Sequence, residues 1–533
     1  MATTPHRNQR RPRRRVGWPT VEWSRRQVLA AAATTAAGLA LGACTSRPDR
    51  RARVVGPSAG VVGQAEARRR RPGAPVRQVA LTAAPASVDL AGRTVTTWAY
   101  NDTVPGPLVR LRAGEVLRAR LDNRLGEPTT IHWHGVALRN DMDGAPGMNR
   151  PPVAPGGRFA YEFTVPDPGT YWFHPHVGLQ LDRGLYGPLL VDDPAEPGRY
   201  DHEQVVVLDD WTDGIGPTPE QLQARLAAQG GMMGQGGMGM MGQSGQDASP
   251  VLGGTGGQID YPLYLLNGRP PADPPTIHAR PGERLRLRVV NAAAETAFRL
   301  ALGGHRLTVT HSDGLPVAPV TVDALVVGMG ERYDAVITLA DGVFPLVAVA
   351  EGKRGQALGV VRTAAGAPPA AAVRPGELDG RLLTLEELRA DPRVALPARP
   401  PDRTHRVVLL GGMRDARWTI NGRTFDDAIP LDVREGERVR LLLANQSMMF
   451  HPVHLHGHSF QVQTQPGGGV GPRKDTVIVR PMEQFAVDLE AANPGQWMLH
   501  CHNLYHQQAG MMTTLSYVSW RQAGRRSAHR LGP

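Results

Sequence analysis

The chain has 533 residues, 41% hydrophobic and 20% charged, which is long enough for several domains. Its net charge of +11 sits at one end: residues 1–77 carry 17 Arg and 3 acidic residues, and the remainder carries 43 basic and 46 acidic residues. A near-neutral body speaks against nucleic-acid binding, and 62 Gly with 47 Pro favour turn-rich β architecture over helical bundles.

Residues 1–43 read as a targeting segment. RRPRRR is a basic n-region, and SRRQVLA (Ser24 to Ala30) places paired arginines before an apolar run ending at Leu41. That arrangement predicts twin-arginine (Tat) export. LGAC (Leu41 to Cys44) resembles a lipoprotein cleavage box, which would leave a lipid on Cys44 and the protein anchored outside the cytoplasm. Cys501 is then the one thiol left for the fold, so cysteine does not serve here as a disulfide staple. A metal ligand, a nucleophile or an inert core residue remain. Residues 44–77 are polar and basic and predict a disordered linker.

From about Val79 the chain alternates apolar and polar residues between Pro and Gly breaks, as strands and turns do. Three segments repeat: LRAGEVLRARLDNRL (111–125), ARPGERLRLRVVNAA (279–293) and VREGERVRLLLANQS (433–447). Their glycines, Gly114, Gly282 and Gly436, are 168 and 154 residues apart, each interval suiting one β-sandwich. PGTYWFHPH (168–176) also matches PGQWMLHCH (494–502), and the middle copy has no such histidines. The expectation is an all-β chain of three sandwiches in series: 78–195, 196–365 without metal ligands, and 404–520. A Pro/Ala-rich linker, 366–403, precedes the third, and residues 521–533 form a basic tail.

Four His-x-His pairs punctuate the first and third copies: His132/His134, His174/His176, His454/His456 and His500/His502. Residues i and i+2 of a strand share a face, so each pair can offer two imidazoles to one site. Eight imidazoles from two domains suggest a polynuclear cluster at their interface. Imidazole alone does not name the metal, but a thiolate with two imidazoles and a weak thioether describes a blue-copper site. Cys501, His506 and Met511 lie within one short stretch, and His451 can add the second imidazole. Cys501 would face away from His500 and His502, linking a mononuclear centre to the cluster.

IHWHG, WFHPH, HPVHLHG and HCHNLYHQQAGMM, in that order, resemble the four copper motifs of multicopper oxidases, in particular three-domain bacterial copper-tolerance oxidases and mycobacterial lipoprotein members. The resemblance spans about residues 78–520. It implies cupredoxin-like Greek-key domains and four copper ions. Type 1 copper would take His451, Cys501, His506 and Met511. Type 2 would take His132 and His454. The type 3 pair would take His134, His174, His176, His456, His500 and His502. Electrons from a one-electron donor would pass through Cys501 to reduce O2 to water. The resemblance also places Asp143 as a proton-delivering acid, while Gln507 stands where some relatives carry a second acid.

Cu(I) is the donor expected, in copper detoxification, with phenols (laccase-type) or Fe(II) (ferroxidase) as alternatives and non-catalytic copper sequestration as a further one. The segment GMMGQGGMGMMG (231–242) carries Met232, Met233, Met238, Met240 and Met241, soft thioethers suited to capturing Cu(I). A monomer is expected.

Overall fold

A computed structural model describes residues 53–196, 198–233, 248–412, 417–463 and 470–519. The export segment, Cys44 and the tail 521–533 lie outside the described residues, as do Met238, Met240 and Met241.

The sequence repeat is a repeat of strands. Val116–Asn123, Arg284–Asn291 and Arg438–Asn445 each run between one parallel and one antiparallel neighbour. The parallel neighbours are Val76–Leu90, His202–Trp211 and Arg403–Gly411, and the antiparallel ones are Arg158–Thr164, Arg332–Thr338 and Gln484–Glu490.

The signature residues have the same job in each copy. Gly114, Gly282 and Gly436 have φ of +87°, +81° and +87°, a conformation open to glycine at little steric cost. Glu115, Glu283 and Glu437 each accept a hydrogen bond from the backbone N–H three residues earlier, at 3.1, 2.7 and 2.9 Å, closing the turn. At the far end, Asn123 donates to the carbonyls of Glu127 and Val153, Asn291 to those of Thr296 and Val327, and Asn445 to those of Met449 and Val479. The buried amide satisfies carbonyls that strand pairing leaves over.

Each of these strands belongs to one sheet of a sandwich, and the second sheet carries the histidines. In the first domain its order is Val109–Arg112, Gly187–Asp192, Gly169–His174, His132–His134. In the third, His451–Leu455 lies between Thr476–Val479 and Gln496–Cys501, with Met512–Ser519 beyond. The middle domain has the sheet without the histidine pairs, its strands Phe298–Leu302 and Val343–Ala350 packing apolar residues instead. The chain is all-β, three cupredoxin-like sandwiches in series. Residues 366–403 form two short 3-10 turns, Gly376–Asp379 and Leu385–Glu387, with Leu378 and Leu388 buried.

The expected disordered linker is corrected over its C-terminal part. Arg53–Val54 pairs with Met512–Ser519 of the third domain, and Gly60–Arg69 is a helix. Val62, Ala65 and Glu66 are buried, and one Glu66 oxygen accepts from both the backbone N–H and the hydroxyl of Thr164 in the first domain, at 2.8 Å each. Two buried apolar side chains and one buried carboxyl within GVVGQAEARR are enough to dock a segment whose composition is otherwise polar.

Candidate metal centre

Strand register assembles the histidines. His132 lies opposite His174, and His454 opposite His500, while Val453 faces Cys501. The alternation of strand side chains then sorts the ligand atoms into separate groups, each within 4.8 Å: His451, Cys501 and His506; His134, His174 and His502; His176, His456 and His500; and His132 and His454, with His134 beside them. The first group lies within the third domain and the others join the first domain to the third.

In the first group, Nδ1 of His451 lies 3.1 Å from Nδ1 of His506, and the Cys501 sulfur is 3.5 and 3.8 Å from these two atoms. Asn503 caps the short helix Leu504–Gln508, its side chain accepting from the N–H groups of Tyr505 and His506, and so aims His506. Met511 is fully buried, its N–H bonded to the His506 carbonyl and its carbonyl to the Cys501 N–H, both at 3.0 Å. Trp418 lies over His506 at 3.9 Å between ring centroids. The outward nitrogens are engaged too: Nε2 of His451 is 2.7 Å from the Ser447 hydroxyl, and Nε2 of His506 is 3.4 Å from Oε1 of Gln258 in the middle domain. Burial draws His451 down to about 3 and pushes the Cys501 thiol up, so the site is neutral until a cation arrives to hold a thiolate.

In the interdomain groups most imidazoles have one nitrogen tied to an oxygen and the other turned inward. Nδ1 of His132 donates to the Asp143 carbonyl (3.1 Å), His174 to that of Pro175 (2.9 Å), His454 to that of Asp475 (2.9 Å) and His500 to that of Cys501 (3.0 Å). Nδ1 of His456 lies 2.9 Å from the Asp143 carboxylate. The inward nitrogens crowd together: Nε2 of His132 and His454 at 3.4 Å, of His456 and His500 at 3.1 Å, and of His176 and His500 at 3.5 Å. Nδ1 of His134, Nε2 of His174 and both nitrogens of His502 are buried without a hydrogen-bond partner among the described residues. Burial first, and neighbouring imidazoles second, hold His174, His176, His456, His500 and His502 well below the ordinary histidine value. Neutral imidazoles with converging, orphaned lone pairs are the donor set a transition metal needs, with outer hydrogen bonds fixing their orientation. Together with the thiolate-and-imidazole group, they fit copper.

Sequence reasoning missed the outer partners. Asp475 lies 3.2 Å from Nε2 of His134, and Arg332 of the middle domain grips both its oxygens, at 2.7 and 2.6 Å. Burial alone would raise the Asp475 carboxyl; Arg332 overrides it and holds it well below the usual range. The signal was available, since Lys474 next to it is one of two lysines in the chain, and both are buried and ion-paired. Asp209 and Asp210 are buried acids with structural partners: Asp209 accepts from the Tyr186 hydroxyl and Asp210 from the N–H groups of Ala294 and Glu295. Met232 and Met233 end the helix Pro219–Met233.

Three family models, each described as multicopper oxidase, match residues 82–196, 202–366 and 398–519. Multicopper oxidase MmcO of Mycobacterium tuberculosis is 49% identical over 93% of this chain and 97% of its own length. A copper resistance protein A homolog of Pseudomonas syringae pv. tomato is 30% identical over 81% and 90%. Among solved structures, a multi-copper oxidase from Pseudomonas thermotolerans superposes with a TM-score of 0.64 at 28% identity, covering 84% of this chain and all of that one. With motif order, sandwich repeat and converging imidazoles in agreement, the chain belongs to the multicopper oxidase family and is an oxidoreductase.

Proposed function

We propose that the chain is an exported cuprous oxidase that couples oxidation of Cu(I) to the four-electron reduction of O2 to water, in copper detoxification. One observation carries the coupling: a single tripeptide, His500-Cys501-His502, contributes to the mononuclear group and to both histidine triads. In this reading His451, Cys501, His506 and Met511 hold type 1 copper, and His132 and His454 hold type 2. His134, His174 and His502 hold one ion of the type 3 pair, and His176, His456 and His500 the other. Bound copper supplies one-electron transfer and dioxygen reduction; the chain's residues orient it, exclude water and move protons. Asp143, bonded to His456 and beside His132, is the proton-delivering acid.

Cu(I) as donor rests on the shielding of the type 1 imidazoles, with His451 fully buried and His506 1% exposed beneath Trp418. A bulky phenol cannot lay its ring against either edge, whereas a metal ion needs only a small polar foothold nearby. The copper-resistance relative and the methionines of 231–242 favour the same donor. Tat export, a lipid on Cys44 and a monomeric state complete the proposal.

The test is oxygen uptake by copper-loaded protein with Cu(I), Fe(II) or a phenol as donor. Rapid uptake with Cu(I) is expected. Uptake with Fe(II) or phenols alone, in protein whose blue absorption is full, would replace the cuprous reading with a ferroxidase or laccase one.

A further inference from the structure

We propose that Arg332, from the domain that supplies no metal ligand, is a positioning residue for the copper cluster: by gripping Asp475 it fixes which nitrogen of His134 faces the metal. The proposal rests on the copper reading above.

His134 is reversed relative to its neighbours. His132, His174, His454, His456 and His500 direct Nδ1 outward to an oxygen and leave Nε2 for the interior. His134 directs Nε2 outward, 3.2 Å from Oδ1 of Asp475 and 3.1 Å from the Thr476 hydroxyl, and its Nδ1 is the orphaned inward atom. The Thr476 hydroxyl donates its own proton to Oδ1 of Asp475 at 2.8 Å, so the carboxylate makes both oxygens facing Nε2 acceptors and keeps the proton on that nitrogen. The tautomer of His134 therefore depends on where Asp475 points.

Arg332 decides that. Its two terminal nitrogens bind the two Asp475 oxygens in a fork, a geometry that fixes direction as well as charge. The guanidinium is held in turn by the carbonyls of Thr170 (3.1 Å) and Gly330 (3.0 Å), and is fully buried. Thr170 lies on the strand that carries His174. Gly330 packs so closely that a Cβ there would sit 2.8 Å from a ring carbon of His502 and 3.0 Å from one of His134. Arg332 and its holders thus reach one triad, His134, His174 and His502. The fit also explains the glycine of IHWHG: at Gly135, φ +84°, a Cβ would lie 2.4 Å from Arg332 and 2.6 Å from Asp475.

Arg332→Met and Arg332→Lys test this beside Arg438→Met, a control that breaks the ion pair of another buried arginine, here with the partly exposed Glu490. Copper content, blue absorption, the near-ultraviolet band of the coupled pair and the melting of copper-free protein are measured on each. In Arg332→Met the blue band is expected to stay while the near-ultraviolet band is lost, with metal affinity at that triad falling roughly 10–100-fold. Arg332→Lys, which keeps the charge without the fork, falls between. In copper-free protein, NMR of isotope-labelled histidine shows one imidazole changing tautomer in Arg332→Met. An unchanged near-ultraviolet band, or blue and near-ultraviolet bands falling together as in Arg438→Met, overturns the proposal. Both bands in the parent establish the copper reading whatever the variants do.

Discussion

His500 and Cys501 are neighbours in the chain and serve opposite sides of their strand: Nε2 of His500 lies 3.1 Å from Nε2 of His456 in the interdomain cluster, and the Cys501 sulfur 3.5 Å from Nδ1 of His451 in the mononuclear group. The two groups are thereby joined covalently through the two side chains and the single peptide unit between them. Cys501→Ser removes the thiolate and leaves the histidine triads intact. Blue absorption and oxygen uptake are expected to disappear, while copper-content analysis shows the cluster still loaded.

Asp143 joins the two domains at the cluster, its carbonyl accepting from His132 and its carboxylate 2.9 Å from His456. In Asp143→Asn the amide keeps a similar shape and can still accept a hydrogen bond, but cannot shuttle a proton. Oxygen uptake is expected to fall by roughly 10²–10⁴-fold with copper content preserved. Loss of copper in step with activity would assign Asp143 to holding the histidines instead.

The buried imidazoles make the copper-free protein acid-sensitive. Their values are depressed by burial, His451 down to about 3 from the ordinary histidine value of about 6.5. Between those limits the unfolded chain takes up protons that the folded state refuses, so stability falls as pH falls below about 6.5. Each such histidine contributes a slope of up to about 1.4 kcal/mol per pH unit. Denaturant midpoints of copper-free protein from about pH 8 to about pH 5.5 are expected to drop steeply; a flat profile would mean that these rings are protonated in the folded state.

The strap formed by residues 53–69 ties the third domain, through Tyr517 and Gln496, to the first, through Thr164. Glu66→Ala leaves the Thr164 N–H and hydroxyl without their acceptor in a buried place. The cost is expected to be about 1.5–3 kcal/mol in denaturant unfolding. A neutral result would show that the helix detaches without consequence.

Much of this protein was legible in its sequence because the informative signals are local or periodic. Gly-Glu with a closing Asn encodes a turn, a strand and a loop clasp within fifteen residues, three times over. Spacing of two puts both imidazoles of a pair on one face, and intervening Cys501 on the other, whatever the rest of the chain does. The strap was misread because composition averages over a segment, and docking needed only Val62, Ala65 and Glu66 to meet a complementary surface.

The candidate ligand types and the number of sandwiches were thus legible in the sequence alone. Which histidine joins which triad, the reversed ring of His134 and the grip of Arg332 on Asp475 were decided by tertiary structure. These relationships join residues 143 apart, for Arg332 and Asp475, and 341 apart, for His134 and Asp475. No local pattern encodes them: they arise where sheets of three domains bury charge against one another, and a buried carboxylate must find its cation there.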